Sequence, residues 1–130
     1  MHKDFDSWNI MKKSLQYKTK IVYFQEREIW FCHLGSNVGF EQDGKGKEFL
    51  RPILIIKKFN ESIFIGLPLT TNNKSNKHYY PLKYKYKLPS SVILSQIRIF
   101  DSKRLEYKIG TIEKVEFSNI KQKLQRLLKL

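Results

Sequence analysis

Three short β-type runs between residues 28 and 70, separated by turn-forming residues, constrain this chain more than any other feature. The first, Glu28-Ile-Trp-Phe-Cys-His-Leu34, is rich in the branched and aromatic side chains that suit a pleated surface. It leads into a polar stretch, Gly35 to Leu50, punctuated by Gly39, Gly44 and Gly46. Arg51-Pro52 then opens Ile53 to Ile56, an unbroken apolar run that reads as a strand buried on both faces. The third run, Ile63 to Leu69, ends on Thr70-Thr71. This order places one arginine and two hydroxyls at strand ends, beside a mobile loop.

The flanks fit a mainly β domain carrying helices at its two ends. Asp6 or Ser7 can cap a short helix in which Trp8, Met11 and Leu15 share one face, with Lys12, Lys13 and Lys18 off it. Tyr17 to Gln25 reads as a linker or an extra edge strand. Lys77 to Lys87 alternates lysine with tyrosine over its second half, the period of a strand with one wet face; Pro81 and Pro89 confine it to an edge or a bulge. Val92 to Ile99 reads as a further strand, and Asp101 to Leu105 as a tight turn or 3₁₀ segment. Thr111 can cap a last helix whose apolar face comprises Val115, Phe117, Ile120, Leu124, Leu127 and Leu128. Together these elements predict an α+β fold: a small, strongly bent antiparallel sheet or barrel covered by the terminal helix.

Charge narrows the partner. Lys and Arg number 25 against 12 Asp and Glu, a net charge of +13, in a chain of 130 residues that is 41% apolar. That composition suits one folded domain and a polyanionic ligand. From Ser62 to Phe100 there is no acid, while Lys74, Lys77, Lys83, Lys85, Lys87 and Arg98 all fall there among Tyr79, Tyr80, Tyr84 and Tyr86. Such a stretch reads as a nucleic-acid-binding face, with lysines on phosphates and tyrosines either stacking on bases or packing beneath. Cys32 stands alone, so no disulfide framework is possible, and within an apolar strand it reads as buried filler. Met1 to Asp6 lacks the apolar core of a signal peptide and no run approaches membrane-spanning length, which predicts a cytosolic protein without membrane association.

Several constellations fall to simpler explanations. Gly39-Phe-Glu-Gln-Asp-Gly44-Lys45-Gly46 approaches a phosphate-binding loop, but lacks the Ser/Thr for magnesium and precedes a strand rather than a helix. Glu41, Asp43 and Glu48 match no fixed cation-loop spacing, and His33 and His78 are too few and too distant for zinc. No cofactor or metal is expected. Arg51 is different. Its rigid fork of donors matches phosphate oxygens, and Thr70 and Thr71 can offer hydroxyls if the third strand lies beside the second.

Arg27-Glu28-Ile29-Trp30, Val38 to Gln42, Arg51 to Ile55, Leu67 to Thr71 and Leu94 to Arg98 follow one another in an order that resembles the MazF/PemK/Kid family. These are the toxin halves of bacterial toxin–antitoxin pairs, and the likeness extends from residue 27 to about 128. It implies an extension over residues 1–26 and a toxin domain over 27–130. It further implies a homodimeric, SH3-like β-barrel that cuts single-stranded RNA without metal, leaving a 2′,3′-cyclic phosphate and a 5′-hydroxyl. Carried over by motif, Arg51 would stabilise the phosphorane and Thr70 would hold a phosphate oxygen. RNA contacts are expected from Glu41, Gln42, Thr71, Lys74, Lys77, His78, Lys83, Lys85, Gln96 and Arg98. An acidic antitoxin segment would lie over the same basic groove.

The chain also departs from the family. Phe40 stands where some members have a histidine, Ile93 and Ser95 where others place an arginine and an aspartate, and the loop before Arg51 is longer than usual. Glu41, His78 and Arg51 itself are therefore the open choices for the general base. A non-catalytic nucleic-acid-binding module and a gyrase-directed toxin resembling CcdB are the competing functions. The second of these does not need Arg51 together with Thr70.

Overall fold

The computed structural model describes residues 2–72, 74–82 and 90–130. Its elements run α1 (Phe5–Gln16), β1 (Glu28–His33), β2 (Leu50–Lys58), β3 (Ile63–Thr70), β4 (Tyr79–Leu82), β5 (Ser90–Ile93), β6 (Arg98–Asp101), β7 (Leu105–Thr111) and α2 (Lys114–Leu128). The seven strands form one antiparallel sheet in the order β4-β5-β3-β2-β1-β7, and β6 joins it on β3. The α+β class expected from the sequence is the one observed. The barrel, however, is a bent sheet whose path does not close.

A fork in β3 accounts for the bend. Ile63 to Gly66 pairs with β6, whereas Leu69 and Thr70 pair with β5. β5 and β6 are the two halves of the run expected as one strand from Val92 to Ile99, broken at Leu94–Gln96 by a turn of 3₁₀ helix. Leu94 is fully buried there and donates its N–H to the His78 carbonyl at 2.8 Å, so tertiary contact overrides strand propensity. Irregular register between Ile55 and Lys57 on β2 adds local twist.

Two cores lie on opposite sides of the central strands, which is why Ile53 to Ile56 contains no exposed residue. Leu54 and Ile56 join Ile29, Leu67 and Leu69 beneath Phe117, Ile120 and Leu124 of α2. Ile53 and Ile55 face the other way, with Trp30, Cys32, Leu34, Phe64 and Phe100. Phe64 sits between Phe24 and Phe100, at ring distances of 5.1 and 5.6 Å. Phe24 is fully buried although Tyr17 to Gln25 forms neither helix nor strand beyond the last turn of α1.

The terminal helices start elsewhere than their sequences suggested. Asp4, not Asp6 or Ser7, caps α1 by accepting the Ser7 N–H at 3.0 Å. Glu113 occupies the cap position of α2, because Thr111 is the last residue of β7. β7 was not anticipated: only Leu105 in it is buried, so it carries no alternating apolar signature and is held by pairing with β1. In α2, Val115 is 72% exposed and falls outside the expected apolar face. The lysine–tyrosine alternation is described only as far as Leu82; Lys83 and Lys85 lie outside the described residues. No described helix is long and apolar enough to cross a membrane.

Phe64→Ala should destabilise the fold by about 3–5 kcal/mol, because it empties the centre of an aromatic stack that has no room to collapse. Urea unfolding followed by tryptophan fluorescence checks this.

Candidate functional site

Arg51 is the second residue of β2 and pairs in register with Cys32 of β1. Its side chain turns toward two carbonyl groups. Nε donates to the Asp43 oxygen at 2.6 Å and Nη1 to the Leu69 oxygen at 3.0 Å. One bond comes from the long loop and the other from the end of β3, one residue before Thr70. Burial draws the Arg51 pKa down, and the nearby Asp43 carboxylate offsets part of that effect. A guanidinium, ordinarily above about 12, remains a cation at neutral pH. These bonds use two of its five N–H donors and leave others for an oxyanion.

Thr70 is half-buried at the end of β3, and its Oγ1 accepts the Asn72 N–H at 3.3 Å. The hydroxyl proton stays available for donation. Arg51, Thr70 and Thr71 all line one groove of about 860 Å³, with Lys45, Gly46 and Ser90. Its other lining residues are Ile29, Phe31, Leu50, Pro52, Leu69, Tyr107 and Ile109, so cationic and hydroxyl groups stand beside a broad apolar surface. Phe31 and Tyr107 are cross-strand partners whose rings lie 4.9 Å apart.

The loop between β1 and β2 is pinned rather than free to swing. The Gly44 N–H reaches the Gly35 carbonyl at 2.7 Å, and Lys45 exchanges two backbone bonds with Leu50. Asn37 donates through Nδ2 to the Leu34 and Gln42 carbonyls and through its backbone N–H to the Asp43 carboxylate. Gly44 is required by space alone: a Cβ there would meet the Phe49 oxygen at 1.7 Å. His33 anchors the loop's far end. The Glu48 carbonyl can only accept, so Nδ1 donates to it at 2.8 Å, while Nε2 meets Glu106 at 2.8 Å. Loop length alone suggested mobility; this internal bonding opposes it.

The remaining expected residues are dispersed. Gln96 holds the loop by accepting the Gln42 N–H and donating to the Phe40 carbonyl. Glu41 accepts the Val38 N–H and lines a separate cavity against α1. His78 donates its backbone N–H to Asn76 and has a buried Nδ1 without a partner among the described residues. Lys74 lies over the Tyr79 ring at 5.6 Å, Lys77 is exposed, and Arg98 lies over Phe100 at 4.6 Å. None of these six lines the groove with Arg51 and Thr70.

Lys45, Phe31 and Tyr107 were not anticipated as groove residues. In the structure Phe31 is half-buried in an otherwise buried strand, whereas in the sequence it is one more member of a continuous apolar run. Burial pushes the Cys32 thiol up to about 12, which leaves it inert as a nucleophile. Among the described residues, no group of three or more His, Cys, Asp and Glu side chains gathers as a metal-binding cluster.

The family described as PemK-like, MazF-like toxin of type II toxin–antitoxin system matches residues 25–128. Among solved structures, MazF from Deinococcus radiodurans superposes with a TM-score of 0.68 at 19% identity, covering 84% of this chain and 100% of that one. The Mycobacterium tuberculosis toxin MazF-mt6 gives 0.63 at 16% identity, covering 80% and 98%. An endoribonuclease in complex with its cognate antitoxin, from a mycobacterial species, gives 0.64 at 16% identity, covering 83% and 97%. At such identities the likeness speaks for the fold. Comparison with individually curated proteins finds no match.

Two substitutions test how the site is held. Gly44→Ala should cost about 1–3 kcal/mol in thermal unfolding, since backbone must shift to admit the methyl group. The hydrogen bond from His33 lowers the Glu106 pKa, against a smaller opposing effect of burial. A lowered native value means the carboxylate stabilises the fold above its unfolded pKa of about 4.3 and ceases to as pH falls through the native one. Glu106→Gln should thus be less stable than wild type at neutral pH, the gap narrowing below about pH 4. Denaturation midpoints across pH measure it.

Proposed function

This chain belongs to the PemK-like, MazF-like toxins of type II toxin–antitoxin systems, and from that premise we propose that it is a metal-independent endoribonuclease acting on single-stranded RNA. The observation that carries the reading is Arg51 bonded to the Leu69 carbonyl, next to Thr70, with both side chains on one groove. In the reaction the ribose 2′-oxygen attacks the adjacent phosphorus. The P–O2′ bond forms as the P–O5′ bond breaks, which yields a 2′,3′-cyclic phosphate and a 5′-hydroxyl. Arg51 offers its remaining N–H donors to the charge developing on the phosphorane, and Thr70 steadies a non-bridging oxygen. Glu41 and His78 do not line the groove, so on this reading Arg51 also protonates the departing 5′-oxygen while the 2′ proton leaves to water, and the strongly basic guanidine then regains its proton from water.

Chain charge and groove chemistry suit the remaining partners. Lys45 in the groove, and Lys74 and Lys77 outside it, would meet backbone phosphates. Each such contact would steepen the salt dependence by about 0.7 in log–log slope on single strands. The exposed Tyr107 and Ile109 beside Arg51 and Lys45 suit an antitoxin segment that alternates apolar with acidic residues. We assign the protein to the cytoplasm as a homodimer that such an antitoxin silences. The domain division falls at residue 26, with the toxin domain following.

Purified protein should cut RNA in excess EDTA and leave 2′,3′-cyclic phosphate ends, and Arg51→Ala should slow this by about 10²–10³-fold. Binding without scission would instead select a non-catalytic RNA-binding module. That alternative draws on the lack of any carboxylate or imidazole among the described residues lining the groove. Sedimentation equilibrium tests the dimer.

A further inference from the structure

We propose that the N-terminal segment is a clamp on the loop between β1 and β2, with Lys3 as a positioning residue that sets Arg51 for the RNA cleavage proposed above, on which the inference rests. Lys3 precedes α1, and its side chain is only 13% exposed. Its ammonium group donates to two carbonyls of the loop and pairs its charge with a loop carboxylate. They are the Asn37 carbonyl at 2.6 Å, the Gly39 carbonyl at 2.8 Å and the Asp43 carboxylate at 3.0 Å.

Asp43 passes this restraint on. One carboxylate oxygen meets Lys3, the other accepts the Asn37 N–H at 2.6 Å, and the main-chain carbonyl of the same residue receives Arg51 Nε at 2.6 Å. A shift of the Lys3 ammonium therefore moves the carbonyl on which the guanidinium rests.

Trp8 grips the two ends of the loop. A Cβ at Gly35 would lie 2.2 Å from its indole, and the Phe49 ring packs against it at a tilt, with ring centroids 5.5 Å apart. Leu34 and Gly35 both donate their N–H groups to the Phe49 carbonyl, so this contact closes the base of the loop. Trp8 holds the base, and Lys3 holds the crest. An exposed lysine usually keeps its head in water, and a surface ion pair contributes little. A largely buried lysine whose hydrogen bonds and ion pair all go to one loop has a different task. Family resemblance does not extend to it, because the matched region begins at residue 25, beyond α1.

The test uses the full chain with Lys3→Met, which keeps the stem and removes the charge, and with Asp43→Asn, which removes the ion pair but leaves the carbonyl under Arg51. Single-turnover and steady-state cleavage should show kcat lowered by about 10–100-fold with KM nearly unchanged. In an Arg51→Lys background neither variant should add to the loss, since the effect travels through Arg51. Independently of RNA, NMR should show faster hydrogen exchange at Arg51 Nε and at the Gly44 and Lys45 amides, with Ile53 to Ile55 unchanged. Unaltered exchange and kcat in both variants would overturn the clamp, as would losses that add fully to Arg51→Lys. Faster exchange in both variants of a protein whose wild type cuts no RNA would uphold the clamp and discard the nuclease.

Discussion

The structure around the groove depends on one cation satisfied by backbone. Arg51 bonds the Asp43 carbonyl on one side and the Leu69 carbonyl on the other. A guanidinium half removed from water is costly unless its donors find partners. Carbonyl groups can supply them without neutralising the charge, as a carboxylate contact would. The result is a fixed cation whose remaining donors stay available to an incoming anion. Because the two carbonyls come from different parts of the chain, the arginine also ties the loop to the end of β3.

Much of the rest can be understood as support for that tie. The β3 fork brings Thr70 against β5 while the earlier half of the strand stays paired with β6, so the hydroxyl sits where the sheet divides. Gln96, in the 3₁₀ turn that separates β5 from β6, reaches across to the loop at Phe40 and Gln42. His33 holds the other end through Glu48. Arg104 donates to the His33 carbonyl and lies over the Trp8 ring at 5.6 Å, which joins α1 to the same assembly. The loop is thus braced by Gln96 and Trp8 from distant elements and by His33 and Arg51 at its own two ends.

How far the sequence disclosed this depended on the kind of signal. β1, β2 and β3 were legible because burial on one or both faces leaves an apolar pattern, as at Ile53 to Ile56. β7 was not, since it is stabilised by hydrogen bonds to β1 and Leu105 alone is buried in it. The break at Leu94 to Gln96 was hidden for the opposite reason: an apolar run looks continuous whether or not its backbone turns. Arg51 and Thr70 could be singled out by chemistry and by family likeness, and the groove contains both. Lys3 could not, because one lysine among 25 basic residues has no local mark that distinguishes it. Its three acceptors lie more than thirty residues away.

Cys32, register-paired with Arg51 and locked in the second core, has one more implication. A thiol that does not ionise at physiological pH is silent toward oxidants and alkylating agents while the two strands stay together. It becomes reactive only when β1 parts from β2, the event that also dismantles the arginine's seat. The rate at which such a reagent captures the sulfur is therefore a built-in clock for the lifetime of the assembled groove.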